Sequence, residues 1–196
     1  IQNKFHLANE ILGYDLISVM FNGPKEKLMQ TKFTQPAIFV HSMAIVDLLA
    51  EKKVYPNVVA GHSLGEFSAL VCADVINFED ALNIIKIRSN EMAKAGKSIP
   101  GSMAAILGAT SEEVEIICNQ KDIVVPANIN STKQIVISGY KDSIESAINT
   151  AKELGIRRAI PLNVSGAFHS PLMKPARVPL SKVINNVNFR NAKIPI

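Results

Sequence analysis

A strand-like run that leads into Gly-x-Ser-x-Gly constrains this chain more than any other feature. The run is Val58-Val59-Ala60-Gly61-His62-Ser63-Leu64-Gly65-Glu66, and a helical pattern begins directly after it. A strand that turns sharply into a helix around a serine is a nucleophile elbow, which presents the serine hydroxyl at the edge of an α/β sheet. The residues two before and two after the serine are expected to crowd the turn, which explains glycine at both positions. The pattern predicts Ser63 as a nucleophile and the Leu64 N–H as an oxyanion donor.

The composition indicates a folded protein with a sizeable core. Of 196 residues, 47% are hydrophobic and 19% are charged, which excludes a disordered chain. The net charge is +4 and the lysines are scattered, so no nucleic-acid partner is expected. Cys72 and Cys118 match neither a zinc spacing nor C-x-x-C, so we expect reduced core thiols and no metal site.

The location of the protein is a weaker expectation from the same sequence. We find no uninterrupted run of about 18 apolar residues and no charged-then-apolar order near residue 1, so no membrane segment is expected. A cytoplasmic protein is therefore predicted. For a eukaryotic source, a plastid or another organelle stays open.

The periodicity changes near residue 98, which predicts two domains. Before it, helices and a strand alternate, as in an α/β domain. After it, the order β-α-β-β-α-β is that of a ferredoxin-like unit. We predict an α/β hydrolase-like core with a parallel sheet and a nucleophile elbow over 1–97 and 164–196, and an inserted ferredoxin-like (βαββαβ) small domain over 98–163. The predicted helices cover 2–12, 35–53, 64–72, 78–95, 111–119, 141–154 and 171–186, and the predicted strands cover 58–61, 103–107, 123–129, 134–138 and 157–162.

A serine hydroxyl is a weak nucleophile and needs a base within hydrogen-bond reach. His6 and His41 lie in helical patterns upstream of the elbow, where a structural role is expected. His62 is expected to pack against the sheet, because neighbours along a strand point to opposite faces. His169 lies in a loop after the inserted unit, and such loops can approach an elbow from outside. We predict His169 as the general base. The alternative is that it caps the helix that follows.

Arg88 continues the apolar stripe of the helix predicted over 78–95. It lies four residues after Ile84 and four before Met92. A guanidinium on a buried face needs an anionic partner. Two explanations stay open: an internal salt bridge to an Asp or Glu, or a planar fork that binds a substrate carboxylate through two hydrogen bonds. We favour the second, because Arg88 follows Ser63 by one helix and a turn.

Five motifs together resemble those of the malonyl-CoA:acyl carrier protein transacylase family, acyltransferases of fatty acid and polyketide synthesis. The resemblance covers nearly the whole chain in order and spacing. The motifs are Gly61-His62-Ser63-Leu64-Gly65-Glu66, Arg88 followed by Met92, Asn128-Ile129-Asn130-Ser131, Ala167-Phe168-His169 with Leu172-Met173-Lys174-Pro175, and Thr34-Gln35-Pro36-Ala37.

The resemblance implies transfer of a malonyl group from malonyl-CoA to the phosphopantetheine thiol of acyl carrier protein, through a malonyl-serine intermediate, in fatty acid biosynthesis. Ser63 would be the acylated nucleophile and His169 the base. Arg88 would anchor the malonyl carboxylate, and Leu64 would donate to the oxyanion. The implied partners are malonyl-CoA and acyl carrier protein, with no permanently bound cofactor, and a monomer is expected. The further substrate-binding residues that it implies are Gln35, Asn130 and Phe168.

The sequence departs from the family pattern at both ends. The family's N-terminal strand and Gly-Gln-Gly-Ser-Gln loop, which supplies a second oxyanion donor, are absent from these residues, and so is a C-terminal part whose Gln orients the histidine. An incomplete core and an inactive chain are therefore one expected outcome. Two alternatives stay open: a serine esterase or thioesterase of α/β-hydrolase type, with Asp122, Asp142 or Glu153 as the acid, and an inactive fragment that only binds a carrier protein.

Overall fold

Helices dominate the first ninety residues of the computed structural model, which describes residues 2–196, and an antiparallel sheet follows them. The contacts divide the chain into two compact units. Unit 1 comprises the residues up to Asn90 together with Pro179–Ile196, and unit 2 comprises Glu91–Val178. The helices are α1 (Gln2–Leu12), α2 (Leu16–Asn22), α3 (Lys25–Leu28), α4 (Thr31–Glu51), α5 (Gly65–Cys72), α6 (Phe78–Ser98), α7 (Ser111–Cys118), α8 (Lys141–Glu153) and α9 (Lys174–Ile184), and the strands are β1 (Gly101–Leu107), β2 (Val124–Ser131), β3 (Gln134–Tyr140) and β4 (Arg158–Pro161).

The predicted helices agree best with the structure where the apolar period is regular. The bounds of α1 are confirmed residue for residue, and its predicted stop, Gly13, adopts a φ of 76°, which favours glycine. The bounds of α5, α7 and α8 each differ from the prediction by one residue. The short helices α2 and α3 were not predicted, because so few residues show no period.

Two helices are longer than predicted. Helix α4 begins at Thr31, so Pro36 lies in its second turn. Because proline has no N–H, one backbone carbonyl of the preceding turn lacks its usual helical donor. Helix α6 does not stop at Gly96 but continues to Ser98. A Cβ at Gly96 would overlap the backbone oxygen of Ser165, so this glycine allows a close approach of two backbones and does not end the helix.

The core of unit 1 is a cluster of apolar side chains from α1, α2, α4 and α6. Phe39 and Met43 of α4 are almost completely buried in it, and so are Leu82 and Ile85 of α6. Phe39 also stacks on Phe78, with ring centroids 5.4 Å apart. Full burial of one such side chain stabilises the fold by about 1.5–3 kcal/mol. The cluster therefore joins α4, which carries Gln35, and the part of α6 that carries Arg88 in one apolar core.

The strand predicted over 58–61 does not form. These residues have no strand assignment, and the Val59 N–H makes a single backbone hydrogen bond of 3.0 Å to the Pro195 carbonyl. An extended segment becomes a strand only when neighbours complete its ladder. The predicted parallel sheet is thus not confirmed, because the four strands assigned within residues 2–196 form one antiparallel sheet.

The sheet of unit 2 has the strand order β2-β3-β1-β4, with every neighbouring pair antiparallel. Strand β1 is central and buried on both sides: Ala104 and Ile106 contribute to one apolar cluster, while Met103 and Ala105 contribute to another. This alternation follows from the two-residue period of a strand. The predicted element order β-α-β-β-α-β is confirmed. The turn between β2 and β3 lies at Thr132-Lys133, between the strands predicted over 123–129 and 134–138.

One face of α4 is apolar and solvent-exposed. Ile38, Ile45, Leu48 and Leu49 are each 43–51% exposed. Within residues 2–196, α4 is also the helix that is long and apolar enough to cross a membrane, with a mean hydropathy of 1.4 over its most apolar window. Length and composition alone do not separate such a span from a core helix of a soluble protein, so α4 carries no membrane assignment.

Candidate active site

Ser63 lies on a strained turn directly before α5. Its φ is 55°, in the left-handed region that a non-glycine residue rarely adopts. The turn is closed by hydrogen bonds from the Gly65 N–H to the His62 carbonyl, at 3.0 Å, and from the Glu66 N–H to the Ser63 carbonyl, at 3.3 Å. The Leu64 N–H precedes these donors and has no backbone acceptor among the described residues. The strained turn into a helix is the part of a nucleophile elbow that this structure shows, with a backbone donor beside the serine and without an assigned strand before it.

The two glycines of the motif have different roles. A Cβ on Gly61 would overlap the backbone nitrogen and Cα of Glu66, so residue 61 must be a glycine for the chain to turn this tightly. A Cβ on Gly65 would meet nothing within 4 Å. The prediction that both positions are crowded is therefore correct for Gly61 and wrong for Gly65. The prediction that His62 packs against a sheet is also wrong, because its side chain is exposed.

Arg88 reaches Ser63 from α6. Arg88 is only 9% exposed, which confirms the prediction that it lies on the buried face of α6. The Nη2 donates to the Ser63 Oγ at 3.0 Å, and the Nη1 donates to the Oε1 of Gln35 at 2.5 Å. Gln35 is itself buried, at 7% exposed, on α4. Three side chains from three separate segments of unit 1 thus form one hydrogen-bonded group.

The guanidinium of Arg88 is paired with neutral groups. Burial lowers the pKa of the Arg88 guanidinium, and the negative charge of Glu66 opposes this shift. No Asp or Glu forms an ion pair with Arg88 among residues 2–196, so the alternative of an internal salt bridge is wrong. Arginine stays protonated even when it is partly desolvated. A positive charge therefore lies beside the serine hydroxyl, with the Glu66 carboxylate near enough to act on it but not within ion-pair distance.

His169 lies in unit 2 on a second strained turn. Its φ is 58° and its side chain is exposed. The next residue, Ser170, caps the 3-10 turn Pro171–Met173 by accepting from the Leu172 N–H at 3.2 Å, and its own hydroxyl donates to the Ala167 carbonyl at 2.7 Å. The helix cap is therefore Ser170, not His169. Left-handed backbone at a non-glycine residue occurs often at functional sites, which fits a role for His169 in the chemistry.

The other two predicted binding residues also belong to unit 2. Phe168 is half-buried and packs against the cluster of Met103, Ala105 and Val136. Asn130 is exposed on β2, and its Nδ2 donates to the Gln134 Oε1 at 3.1 Å. Their substrate-binding roles, and the pairing of Ser63 with His169, stay predictions.

The structure thus brings together three of the predicted site residues, Ser63, Arg88 and Gln35, with the Leu64 N–H at the same turn. Gln35 was expected from the resemblance alone, without a predicted partner. Its polar amide within the apolar face of α4 is the sequence signal that could have indicated a buried partner. Within residues 2–196, no three His, Cys, Asp or Glu side chains cluster as a metal would require.

The fold and the site define the class: a mixed α/β protein with a serine on a strained helix-entry turn, and with a backbone donor and a buried cation beside that serine. The acyl transferase domain model matches residues 5–196, and the chain belongs to that family.

Relatives of known name support this membership. The chain is 45% identical over 193 residues to the malonyl CoA-acyl carrier protein transacylase of Staphylococcus aureus, covering 96% of this chain and 62% of the relative. A solved structure of that transacylase from Coxiella burnetii superposes with a TM-score of 0.93 at 40% identity, covering 98% of this chain and 62% of that one. A type II PKS acyl-carrier protein in complex with its malonyl-transacylase gives a TM-score of 0.92 at 40% identity, covering 99% of this chain and 64% of that one. The chain spans less than two thirds of the length of these relatives.

Proposed function

We propose that this chain carries the serine and the carboxylate anchor of a malonyl-CoA:acyl carrier protein transacylase. The observation that carries the proposal is the buried Arg88, whose Nη2 lies 3.0 Å from the Ser63 Oγ and which has no carboxylate partner among the described residues. A cation at that distance suits an acyl group that ends in a carboxylate. Family membership and the names of the relatives support the same function.

The proposed reaction has two acyl transfers. His169 takes the proton of Ser63 as its oxygen attacks the thioester carbon of malonyl-CoA, and the Leu64 N–H stabilises the oxyanion. The carbon–sulfur bond then breaks, and the departing CoA sulfur takes the proton from His169. In the second transfer the phosphopantetheine thiol of the carrier protein gives its proton to His169 and attacks the malonyl-serine ester. The carbon–Oγ bond then breaks, and the Ser63 oxygen takes the proton back from His169. A thioester is exchanged for a thioester, so the net reaction is close to thermoneutral.

Arg88 selects the acyl group in this proposal. A malonyl carboxylate would accept two hydrogen bonds from the guanidinium in a largely desolvated site. An acetyl group would leave that cation without a charged partner, at a cost of about 1–3 kcal/mol. Malonyl transfer is therefore expected to exceed acetyl transfer.

The same proposal extends to the domains, the partners and the location of the protein. The strand order β2-β3-β1-β4 with two crossing helices supports a ferredoxin-like small domain over 98–163, and the elbow supports a hydrolase-like core over 1–97 and 164–196. The partners are malonyl-CoA and acyl carrier protein, and Asn130 and Phe168 contribute to substrate binding. The protein is a cytoplasmic monomer of fatty acid biosynthesis that needs no bound cofactor.

The test is intact-mass spectrometry after mixing the chain with malonyl-CoA and, separately, with acetyl-CoA. We expect a malonyl adduct of about 86 Da on Ser63, since a serine nucleophile forms a covalent acyl intermediate. Ser63→Ala is the matched control and should show no adduct. Addition of a phosphopantetheinylated carrier protein should move the adduct to the carrier thiol.

Two results would contradict the proposal. Release of free malonate in place of transfer to the carrier would favour an esterase. A folded chain that takes no adduct, in a preparation where a full-length relative does, would show that these residues alone do not form a working site.

A further inference from the structure

We propose that Arg88 restrains Ser63 in the free protein, and that a substrate carboxylate releases the serine when it binds the same guanidinium. The inference rests on the proposed function, because it assigns a second role to the anchor of that reaction. It makes acyl-group selection a property of the chemical step and not only of binding.

The nitrogen that holds Ser63 is the one that a carboxylate needs. A guanidinium binds a carboxylate through two parallel N–H groups, either on its Nη1/Nη2 edge or on its Nε/Nη2 edge. Both edges include Nη2, which donates to the Ser63 Oγ at 3.0 Å. Nη2 carries two N–H groups, so a carboxylate bound in this way shares this nitrogen with the serine. The carboxylate neutralises the charge that strengthens the Nη2–Oγ bond, and the hold on Ser63 weakens.

The bond between Arg88 and Ser63 opposes attack by the serine. A hydroxyl oxygen accepts a strong hydrogen bond from a cation, whereas an ester oxygen is a poor acceptor. As the oxygen forms its bond to the acyl carbon, it gives electron density to that bond and becomes a weaker acceptor for Nη2. An interaction that is stronger in the ground state than in the transition state slows the reaction. Removing it should raise the intrinsic reactivity of Ser63 by about tenfold, the size of one charge-assisted hydrogen bond.

Gln35 is the positioning residue of this arrangement. Its Oε1 accepts from Nη1 at 2.5 Å and fixes the second terminal nitrogen of the fork. Both Gln35 and Arg88 are buried, so neither side chain is free to swing into solvent. Because the Gln35 amide is neutral, it orients the Arg88 guanidinium without neutralising its positive charge, which can still attract an anionic ligand.

The consequence is a difference between acyl groups. A malonyl thioester brings a carboxylate to Arg88 and thereby frees Ser63 at the moment when its thioester is in place. An acetyl thioester brings no such group, so Ser63 has to break its bond with Arg88 without compensation. Acetyl should therefore be penalised in the rate of acylation as well as in affinity.

The experiment compares two reactions of Ser63 in the wild-type chain, in Arg88→Ala and in the isosteric Gln35→Glu. One reaction is sulfonylation by phenylmethylsulfonyl fluoride, an uncharged reagent that does not need the carboxylate anchor. The other is acylation by malonyl-CoA. In Gln35→Glu the new carboxylate pairs with Arg88 and weakens its hold on Ser63, while it also occupies the anchor.

We expect sulfonylation to become about tenfold faster in both variants while malonylation becomes slower. A folding defect would slow both reactions, so opposite changes are specific to the restraint. If Arg88→Ala does not fold, Gln35→Glu makes the same test with an unchanged side-chain shape. Sulfonylation that is slower, unchanged or absent in the variants would overturn the proposal and would indicate that Arg88 does not restrain the serine.

The two experiments distinguish a failure of the proposed restraint from a failure of the proposed function. If the wild-type chain takes a malonyl adduct but sulfonylation does not rise in the variants, the function stands and the restraint is wrong. If sulfonylation rises in the variants but the wild-type chain takes no malonyl adduct, the restraint stands and these residues alone do not form a working transacylase site.

Discussion

The Nη2 of Arg88 donates a hydrogen bond to the Oγ of Ser63 at 3.0 Å, across 25 residues of sequence. Helix α5 leads away from the elbow, and α6 returns after a short connection, so the middle of α6 passes the serine. The guanidinium is buried and its second terminal nitrogen is held by Gln35. One contact therefore joins the serine of the helix-entry turn to the buried cation of α6.

The first prediction concerns acyl-group selection. Arg88→Ala should slow malonyl acylation of Ser63 by roughly a hundredfold, because it removes a charged anchor that makes two hydrogen bonds. Acetyl acylation should change far less or rise. The measurement is the rate of each adduct by mass spectrometry with both CoA thioesters. An unchanged ratio of malonyl to acetyl rates would remove Arg88 from the anchor role.

The second prediction separates the two glycines of the elbow. Gly61→Ala should lower the free energy of unfolding by about 1–3 kcal/mol, because its Cβ overlaps the Glu66 backbone. Gly65→Ala is the matched control and should be neutral or slightly stabilising, because its Cβ meets open space at the start of α5. Urea unfolding followed by circular dichroism measures both. Equal losses would mean that both positions are crowded.

The third prediction tests the backbone strain at Ser63. At a φ of 55°, a side chain costs about 1 kcal/mol relative to glycine. Ser63→Gly should therefore be more stable than Ser63→Ala, although both lack the hydroxyl. The measurement is the Tm of each variant in thermal unfolding. A higher Tm for Ser63→Ala than for Ser63→Gly would argue against the left-handed conformation of residue 63.

The fourth prediction concerns the thiols. Burial raises the pKa of Cys118 to about 11, and it also raises the pKa of Cys72. At about pH 8 only on the order of one Cys118 in a thousand is then a thiolate, which is the reactive form. Iodoacetamide should modify Cys118 slowly in the native chain and quickly in urea, as followed by peptide mass spectrometry. Rapid native labelling would show that α7 exposes this thiol.

The fifth prediction concerns Asp74, which accepts from Arg190 and from Lys193, both at 2.6 Å. The hydrogen bond from Lys193, together with the positive charges of Arg190 and Lys193, lowers the pKa of the Asp74 carboxyl. A lowered folded-state pKa contributes stability above the ordinary carboxyl pKa, and this stability is lost as the pH falls through the folded value. Asp74→Asn should therefore lower the Tm at about pH 7 and have little effect at about pH 2. An equal effect at both pH values would indicate a role independent of charge.

Local patterns were sufficient for several features of the fold. The apolar period of α1 and the glycine after it define that helix, because both signals lie within a dozen neighbouring residues. The same holds for the order of strands and helices in unit 2. The stripe that contains Arg88 was likewise readable, since side chains three and four residues apart share one helix face.

The predicted sheet of unit 1 depended on more than local pattern. Val58 and Val59 have the composition of a strand, yet a single hydrogen bond to Pro195 does not make a ladder. Strand formation requires a neighbour whose backbone groups face the segment, and the identity of that neighbour is not encoded in the segment itself.

The sequence by itself determined the position of the elbow, because Gly-x-Ser-x-Gly between a β-branched run and a helical period is a local pattern, and it placed Arg88 on a buried face. Only the tertiary structure decided which glycine is crowded and what Arg88 binds. The first outcome depends on how tightly the turn brings the Glu66 backbone against Gly61. The second depends on atoms from distant parts of the chain, because Gln35 and Ser63 are 53 and 25 residues from the Arg88 whose guanidinium they contact. The apolar period of α6 indicates that Arg88 is buried, whereas the packing of the folded chain determines which groups its guanidinium contacts.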